Sequence, residues 1–126
     1  MNMTKISTTN APSAIGPYSQ GMRLDTMVFT SGQIPVDPAN GEISGDTIET
    51  QAEQSCRNVG AVLEAAGASF DTVVKTTCFL ADMADFPAFN QVYARYFTSL
   101  PARSCVAVKT LPKQVLCEIE AIAYQK

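Results

Sequence analysis

The sequence contains no histidine and no tryptophan. Without imidazole the usual general base is missing, and neither a Ser-His nor a Cys-His nucleophile pair can be assembled. The four cysteines, Cys56, Cys78, Cys105 and Cys117, lie far apart with no C-x-x-C pair among them. That spacing argues against zinc and thioredoxin-type motifs and favours reduced thiols in a cytosolic compartment. No run approaches the ~18 consecutive apolar residues of a membrane span, so no membrane partner is expected. The opening Met1–Ser13 stretch also lacks the apolar core of about 7–15 residues that a secretory signal needs. Lys and Arg are scattered singly in a chain of net charge −3. With no basic stripe to meet a phosphate backbone, no nucleic-acid partner is expected. Any catalysis must therefore rest on carboxylates, Tyr, Lys, Arg, thiols, backbone groups and water.

What the chain does contain suits an ordinary globular protein: 126 residues, 46% hydrophobic and 17% charged. One domain over 1–126 is expected, long enough to bury roughly two thirds of its unfolded surface. A short edge strand is expected around Lys5–Ser7. Gly16-Pro17 then fixes an irregular loop that presents Tyr18, as a packing residue or as a ligand contact. Gly21–Leu24 and Met27–Thr30 read as two strands about an Asp25-Thr26 turn. Gly32, just past the second, permits close approach of a ligand or another chain, and equally suits a β-bulge.

Asp46-Thr47-Ile48-Glu49 reads as a capping box opening a helix that runs to Gly67. Its apolar residues Ile48, Ala52, Cys56, Val59, Leu63 and Ala66 share one stripe. Val73–Leu80 reads as a strand covered on both faces. A second helix begins at Asp82–Asp85, with Pro87 in its first turn, and continues to about Phe97. Phe86, Phe89, Tyr93, Tyr96 and Phe97 form an aromatic stripe assigned to the core. Asn90 lies off that stripe, where its low helix propensity hints at a side-chain contact. An α+β domain with both helices on one face of a single sheet is the natural outcome.

The segment Pro101–Ala123 reads as an antiparallel hairpin turned at Leu111-Pro112-Lys113-Gln114. Strand alternation groups Arg103 with Cys105, and Glu118 with Glu120. Packing the more apolar faces on the core brings all four onto one surface, as a cross-strand ion pair or as a functional patch. The sheet face away from the helices remains too apolar for water. Self-association with the charged patch at a subunit boundary resolves this.

The blocks P-S-A-I-G-P-Y-S-Q (12 to 20), S-G-Q-I-P (31 to 35), N-V-G-A-V-L-E-A-A-G (58 to 67), V-V-K-T-T-C-F-L-A-D-M-A-D-F (73 to 86) and P-A-R-S-C-V-A-V-K-T-L-P-K with E-I-E-A-I-A (101 to 123) stand in this order along nearly the whole chain. Together they resemble the RidA/YjgF family of enamine/imine deaminases. The resemblance implies a chorismate-mutase-like α+β fold, a single mostly antiparallel sheet with two helices on one face, assembled as a homotrimeric barrel with sites between subunits. The implied activity is hydrolysis of reactive 2-iminoacids, of the 2-aminoacrylate type released by pyridoxal-phosphate enzymes, to 2-ketoacids and ammonia. No cofactor and no metal is implied. Carried over by motif, Arg103 binds the substrate carboxylate, Cys105 contributes chiefly a backbone contact, and Glu118 orients water. Tyr18, Gly32 and Asn90 take the family's tyrosine, glycine and helix-asparagine positions. The link Phe97–Leu100 is shorter than in many members, a departure that bears on the shape of the cleft rim and so on side-chain preference.

A guanidinium suits the carboxylate of a 2-iminoacid, and a carboxylate that orients water and accepts its proton suffices for addition to a protonated imine. Arg103 would favour an ionised Glu118 and burial would oppose it. Two other readings stand beside this one: Cys105 as a covalent nucleophile, and a non-catalytic sensor that holds a 2-ketoacid or another small carboxylate in the same cleft.

Overall fold

The computed structural model describes residues 1–126. Eight regular elements follow in order: β1 (Met3–Ile6), β2 (Gly21–Leu24), β3 (Met27–Thr30), α1 (Ile48–Ala65), β4 (Val73–Leu80), α2 (Phe86–Tyr96), β5 (Ala102–Ala107) and β6 (Cys117–Tyr124). The strands form one six-stranded sheet in the order β1-β2-β3-β6-β4-β5. Every neighbouring pair is antiparallel except β4 and β5, which run parallel. A parallel pair needs a crossover, and α2 supplies it between those two strands.

Both helices cover one face of the sheet. Val28, Cys78, Ile119 and Ala123 on the strands are fully buried with Ala52, Cys56, Val59, Val62 and Leu63 of α1 in one core. The helix α1 begins one residue later than the capping box suggests, with Thr47 as N-cap accepting from the Thr50 amide at 3.2 Å. It ends as expected, where Gly67 takes a left-handed φ of 82°, a conformation costly for residues with a Cβ. The aromatic stripe of α2 enters the core: Phe89 and Phe97 are fully buried, and Tyr93 stacks on Phe97 with centroids 4.4 Å apart. Tyr93 also meets Thr76 of β4 through a 2.7 Å hydroxyl bond.

Two expectations are corrected. The strands β5 and β6 do not form a hairpin, because β4 lies between them and pairs with both. The link from Val108 to Leu116 crosses the end of β4, held by Val108 N–H to Leu80 O at 2.9 Å and Ala81 N–H to Leu116 O at 3.0 Å. Its 3₁₀ turn at Pro112–Gln114 replaces the tight turn that a hairpin would need. Nor is β4 covered on both faces within the chain, since Val74 is 44% exposed and Lys75, Thr77 and Phe79 are only half-buried.

The uncovered sheet face carries Met27, Phe29, Phe79, Val106, Ile122 and Tyr124, alternating with Lys75, Glu118 and Glu120. Phe29, Val106 and Tyr124 remain 37%, 47% and 46% exposed. An apolar surface this broad is the kind that protein contacts cover.

Candidate functional site

On β5 the residues Arg103 and Cys105 point toward the helices. Their register partners on β4, Thr76 and Cys78, are both fully buried beneath α1 and α2. Alternation then turns Ser104 and Val106 to the uncovered face. The expected common surface for Arg103, Cys105, Glu118 and Glu120 is therefore overturned. Glu118 and Glu120 leave β6 on the uncovered face, opposite the buried Cys117 and Ile119. Two strand spacings of about 4.8 Å and the thickness of the sheet separate the two pairs.

The Arg103 side chain lies against one turn of α2 and the next. Its guanidinium carbon stands 4.7 Å from the Tyr93 ring centroid and 5.3 Å from that of Phe86. Its Nη1 donates to Asn90 Oδ1 at 2.8 Å. Residues 86, 90 and 93 recur at helical steps, so a single helix face supplies both rings and the amide. No carboxylate pairs with Arg103; the chain's salt bridges join Glu53 to Arg57 and Arg95. Of five guanidinium N–H groups one is used, which leaves a free edge for an anion. A hollow of about 300 Å³ opens there, bounded by Asn90, Tyr93, Ala94, Leu100 and Pro101. Burial raises the Cys105 thiol pKa, and the positive charge of Arg103 offsets part of that rise.

The second cluster forms where β3 ends. Thr30 Oγ1 accepts from Ala121 N–H at 3.0 Å, and three residues later Gln33 pairs with Ile119 at 2.8 and 3.2 Å. Three residues separate Phe29 from Gln33, whereas two separate Ile122 from Ile119. Ser31-Gly32 is thus a bulge, and the bare Cα of Gly32 lets the Glu118 side chain lie across it. A Cβ at Gly32 would stand 2.8 Å from Glu118 Cδ. The Gly32 N–H has no partner within the chain.

Tyr18 completes this cluster. Ser31 ties its loop to the sheet, with N–H to Gln20 O at 2.9 Å and Oγ to Ser19 O at 2.5 Å. Half of the Tyr18 side chain is exposed. With Ile15, Gly32, Ile34, Pro112 and Glu118 it lines a hollow of about 400 Å³. The Glu118 carboxylate has no hydrogen-bond or ion-pair partner in the chain. Burial, and then the like charge of Glu120, raise its pKa.

Sequence reasoning missed the supports. Gln20, nearly buried, donates to the carbonyls of Thr8, Ala11 and Pro12 and accepts from Thr8 N–H, which holds the loop below Tyr18. Asn58 of α1 is fully buried and donates to the carbonyls of Ile34 and Val36. A polar residue flanking the apolar stripe of α1 is the signal that could have pointed to such an anchor. Phe86 and Tyr93 carry Arg103, a role hidden because a stacked aromatic and a core aromatic read alike.

No group of three or more His, Cys, Asp or Glu side chains is arranged to hold a metal ion. No helix is long and apolar enough to cross a membrane.

A family model described as Endoribonuclease L-PSP matches residues 8–125. The 2-iminobutanoate/2-iminopropanoate deaminase of Salmonella typhimurium is 53% identical over 125 residues, covering 96% of this chain and 97% of its own. The candidate regulator AldR of Lactococcus lactis is also 53% identical over 125 residues, covering 98% of this chain and 99% of its own. Among solved structures, Escherichia coli TdcF with bound serine is 50% identical, superimposes with a TM-score of 0.93, and covers 98% of this chain and 99% of that one. The chain belongs to the Endoribonuclease L-PSP family, the RidA/YjgF proteins that its sequence blocks resemble.

Proposed function

We propose that the protein is a cofactor-independent 2-iminoacid deaminase of the cytoplasm, one domain per chain, working as a homotrimer whose sites join two copies. The observation that carries this reading is the split pair. Arg103 is stacked and oriented without a counter-ion, Glu118 is half-buried without a partner, and the two leave opposite faces of the sheet. One substrate meets both only if the Arg103 side of one copy faces the Glu118 side of another. The uncovered apolar sheet face supplies the surface for that association, and ring closure repeats the junction.

The chemistry follows from the two halves. Arg103 takes the substrate carboxylate in a charge-assisted pair, with Asn90, Phe86 and Tyr93 fixing its plane and the Cys105 backbone beside it. The free Gly32 N–H gives a second anchor. Glu118 of the facing copy orients a water and accepts its proton as the oxygen bonds to the imine carbon. The carbinolamine then expels ammonia, taking up that proton, and leaves the 2-ketoacid; the only reagent consumed is water. Tyr18 closes the pocket wall. Relatives named for this reaction, and a relative holding a small amino acid, support the assignment.

The kinship to AldR supports a second reading, a sensor that holds a small carboxylate without turning it over. RNA cleavage, the activity in the family's description, is disfavoured by net charge −3 and the missing histidine. Imines generated in place by a threonine dehydratase, with ketoacid release followed, test the hydrolase. Acceleration over buffer that disappears in Arg103→Ala is the expected result. Ketoacid binding without acceleration selects the sensor.

A further inference from the structure

Behind Tyr18 lies a second cavity, of about 200 Å³, which shares Ile15, Tyr18, Gly32 and Ile34 with the Glu118 hollow. A single ordered water needs only ~10–15 Å³ of such space, so a short side chain has room there. The twelve residues that line it include one cation, Lys113, and no Asp or Glu. The lining is thus net positive in a protein of net charge −3. Lys113 is exposed and makes no ion pair.

The backbone around this lysine is strained. Lys113 and Gln114 are consecutive non-glycine residues at φ 54° and 55°, a region that side chains other than Asn and Asp rarely enter. Strain of this kind persists where the surroundings over-determine it, and it concentrates at binding sites. Two bonds hold the turn: Gln114 N–H to Leu111 O at 3.0 Å and Val115 N–H to Pro112 O at 3.3 Å.

Other donors converge on the same space. Gln33 is 5% exposed, and its amide gives one hydrogen to Ser31 O at 3.2 Å, which leaves the second free. The Tyr18 oxygen accepts from Ile15 N–H at 3.4 Å and keeps its own proton to donate. The apolar walls come from Ile15, Ile34 and Val36, so the cavity suits a chain that is aliphatic along its length and anionic at its end.

We propose that this cavity is a side-chain compartment of the site and selects acidic 2-imino- and 2-ketoacids, whose terminal carboxylate it pairs with Lys113. The inference rests on the hydrolase reading for the position of the first carboxylate, at Arg103 of the facing copy. Lys113 touches no reacting atom and acts on affinity alone.

The test is titration of the assembled protein, by calorimetry, with 2-oxoglutarate and with 2-oxobutanoate. Wild type is expected to bind the diacid about tenfold more tightly, the worth of one charge-assisted contact. Lys113→Met removes that preference and leaves 2-oxobutanoate affinity unchanged; Lys113→Arg retains it. Equal affinity for the two acids in wild type, a preference that survives Lys113→Met, or binding of neither acid would overturn the compartment. Deamination of the short imine is followed in the same preparations. Its absence alongside a Lys113-dependent diacid preference removes the hydrolase and keeps the compartment. Its presence without that preference does the reverse.

Discussion

The carboxylate of Glu118 rests on the bare Cα of Gly32, with Cδ 2.8 Å from where a methyl group would be added. That contact joins the bulge after β3 to β6. The clash in Gly32→Ala involves the end of a flexible side chain, so the fold can accommodate it by swinging Glu118 aside. Stability should fall by less than about 1 kcal/mol. Turnover of the imine should fall by about 10²-fold, the usual contribution of a positioned proton acceptor. Thermal unfolding beside the coupled dehydratase assay separates the two effects.

Glu120 sits two residues along the same face and raises the Glu118 pKa after burial has done so. If the ionised form is the proton acceptor, as proposed, activity should rise with pH through the Glu118 midpoint. Glu120→Gln should move that acid limb to lower pH, and kcat/KM profiles measure the displacement. The stability sign is opposite. A carboxyl whose folded pKa lies above its unfolded value stabilises the fold below the unfolded pKa, and this contribution is lost as pH rises through the folded one. Glu118→Gln should therefore be inactive yet at least as stable as wild type at pH 7, by denaturant titration.

Asn90 acts through Arg103. Its Oδ1 is the one hydrogen-bond partner of the guanidinium in the chain, at 2.8 Å, while Tyr93 and Phe86 hold the plane. In Asn90→Ala the stack remains and the in-plane rotation is freed. KM should rise about tenfold, the loss of one hydrogen bond to a charged group, with kcat less affected. Asn90→Asp offers the same acceptor but adds a competing negative charge, and should weaken substrate binding further.

Cys105 provides a contrast. Burial raises its thiol pKa and Arg103 recovers only part of that, so the thiolate population at neutral pH is small. Cys105→Ala should keep most of the activity, because the backbone contact proposed for this residue survives the change. Loss of activity together with a covalent adduct by intact-mass measurement would instead make Cys105 the nucleophile.

How far these features were legible depends on whether local pattern decides them. The strands at Gly21–Leu24, Met27–Thr30 and Val73–Leu80 follow from β-rich runs bounded by turn residues, and the stripe of α1 follows from its spacing. Strand partnership is non-local. Pro101–Ala123 carries a turn and two alternating runs, and nothing within it reveals that β4 will lie between them. The face of β5 was misassigned for a physical reason: polarity puts the charged Arg103 side toward solvent and Ser104 and Val106 toward the core, the reverse of what the structure shows. What decides it is the pair of α2 rings on which Arg103 lies, together with Asn90. Motif supplied the names of the candidate residues, whereas the placement of Arg103 and Glu118 on two sides of the sheet required coordinates.

That division gives the most direct test. Arg103→Ala and Glu118→Gln chains, each expected to be inactive alone, are unfolded together and reassembled in equal amounts. If every site takes Arg103 from one copy and Glu118 from the next, random assembly leaves about a quarter of the sites intact, and about a quarter of wild-type deamination should return. Chains that exchange, by mass spectrometry of the mixed oligomer, yet recover no activity would contradict a site shared between copies.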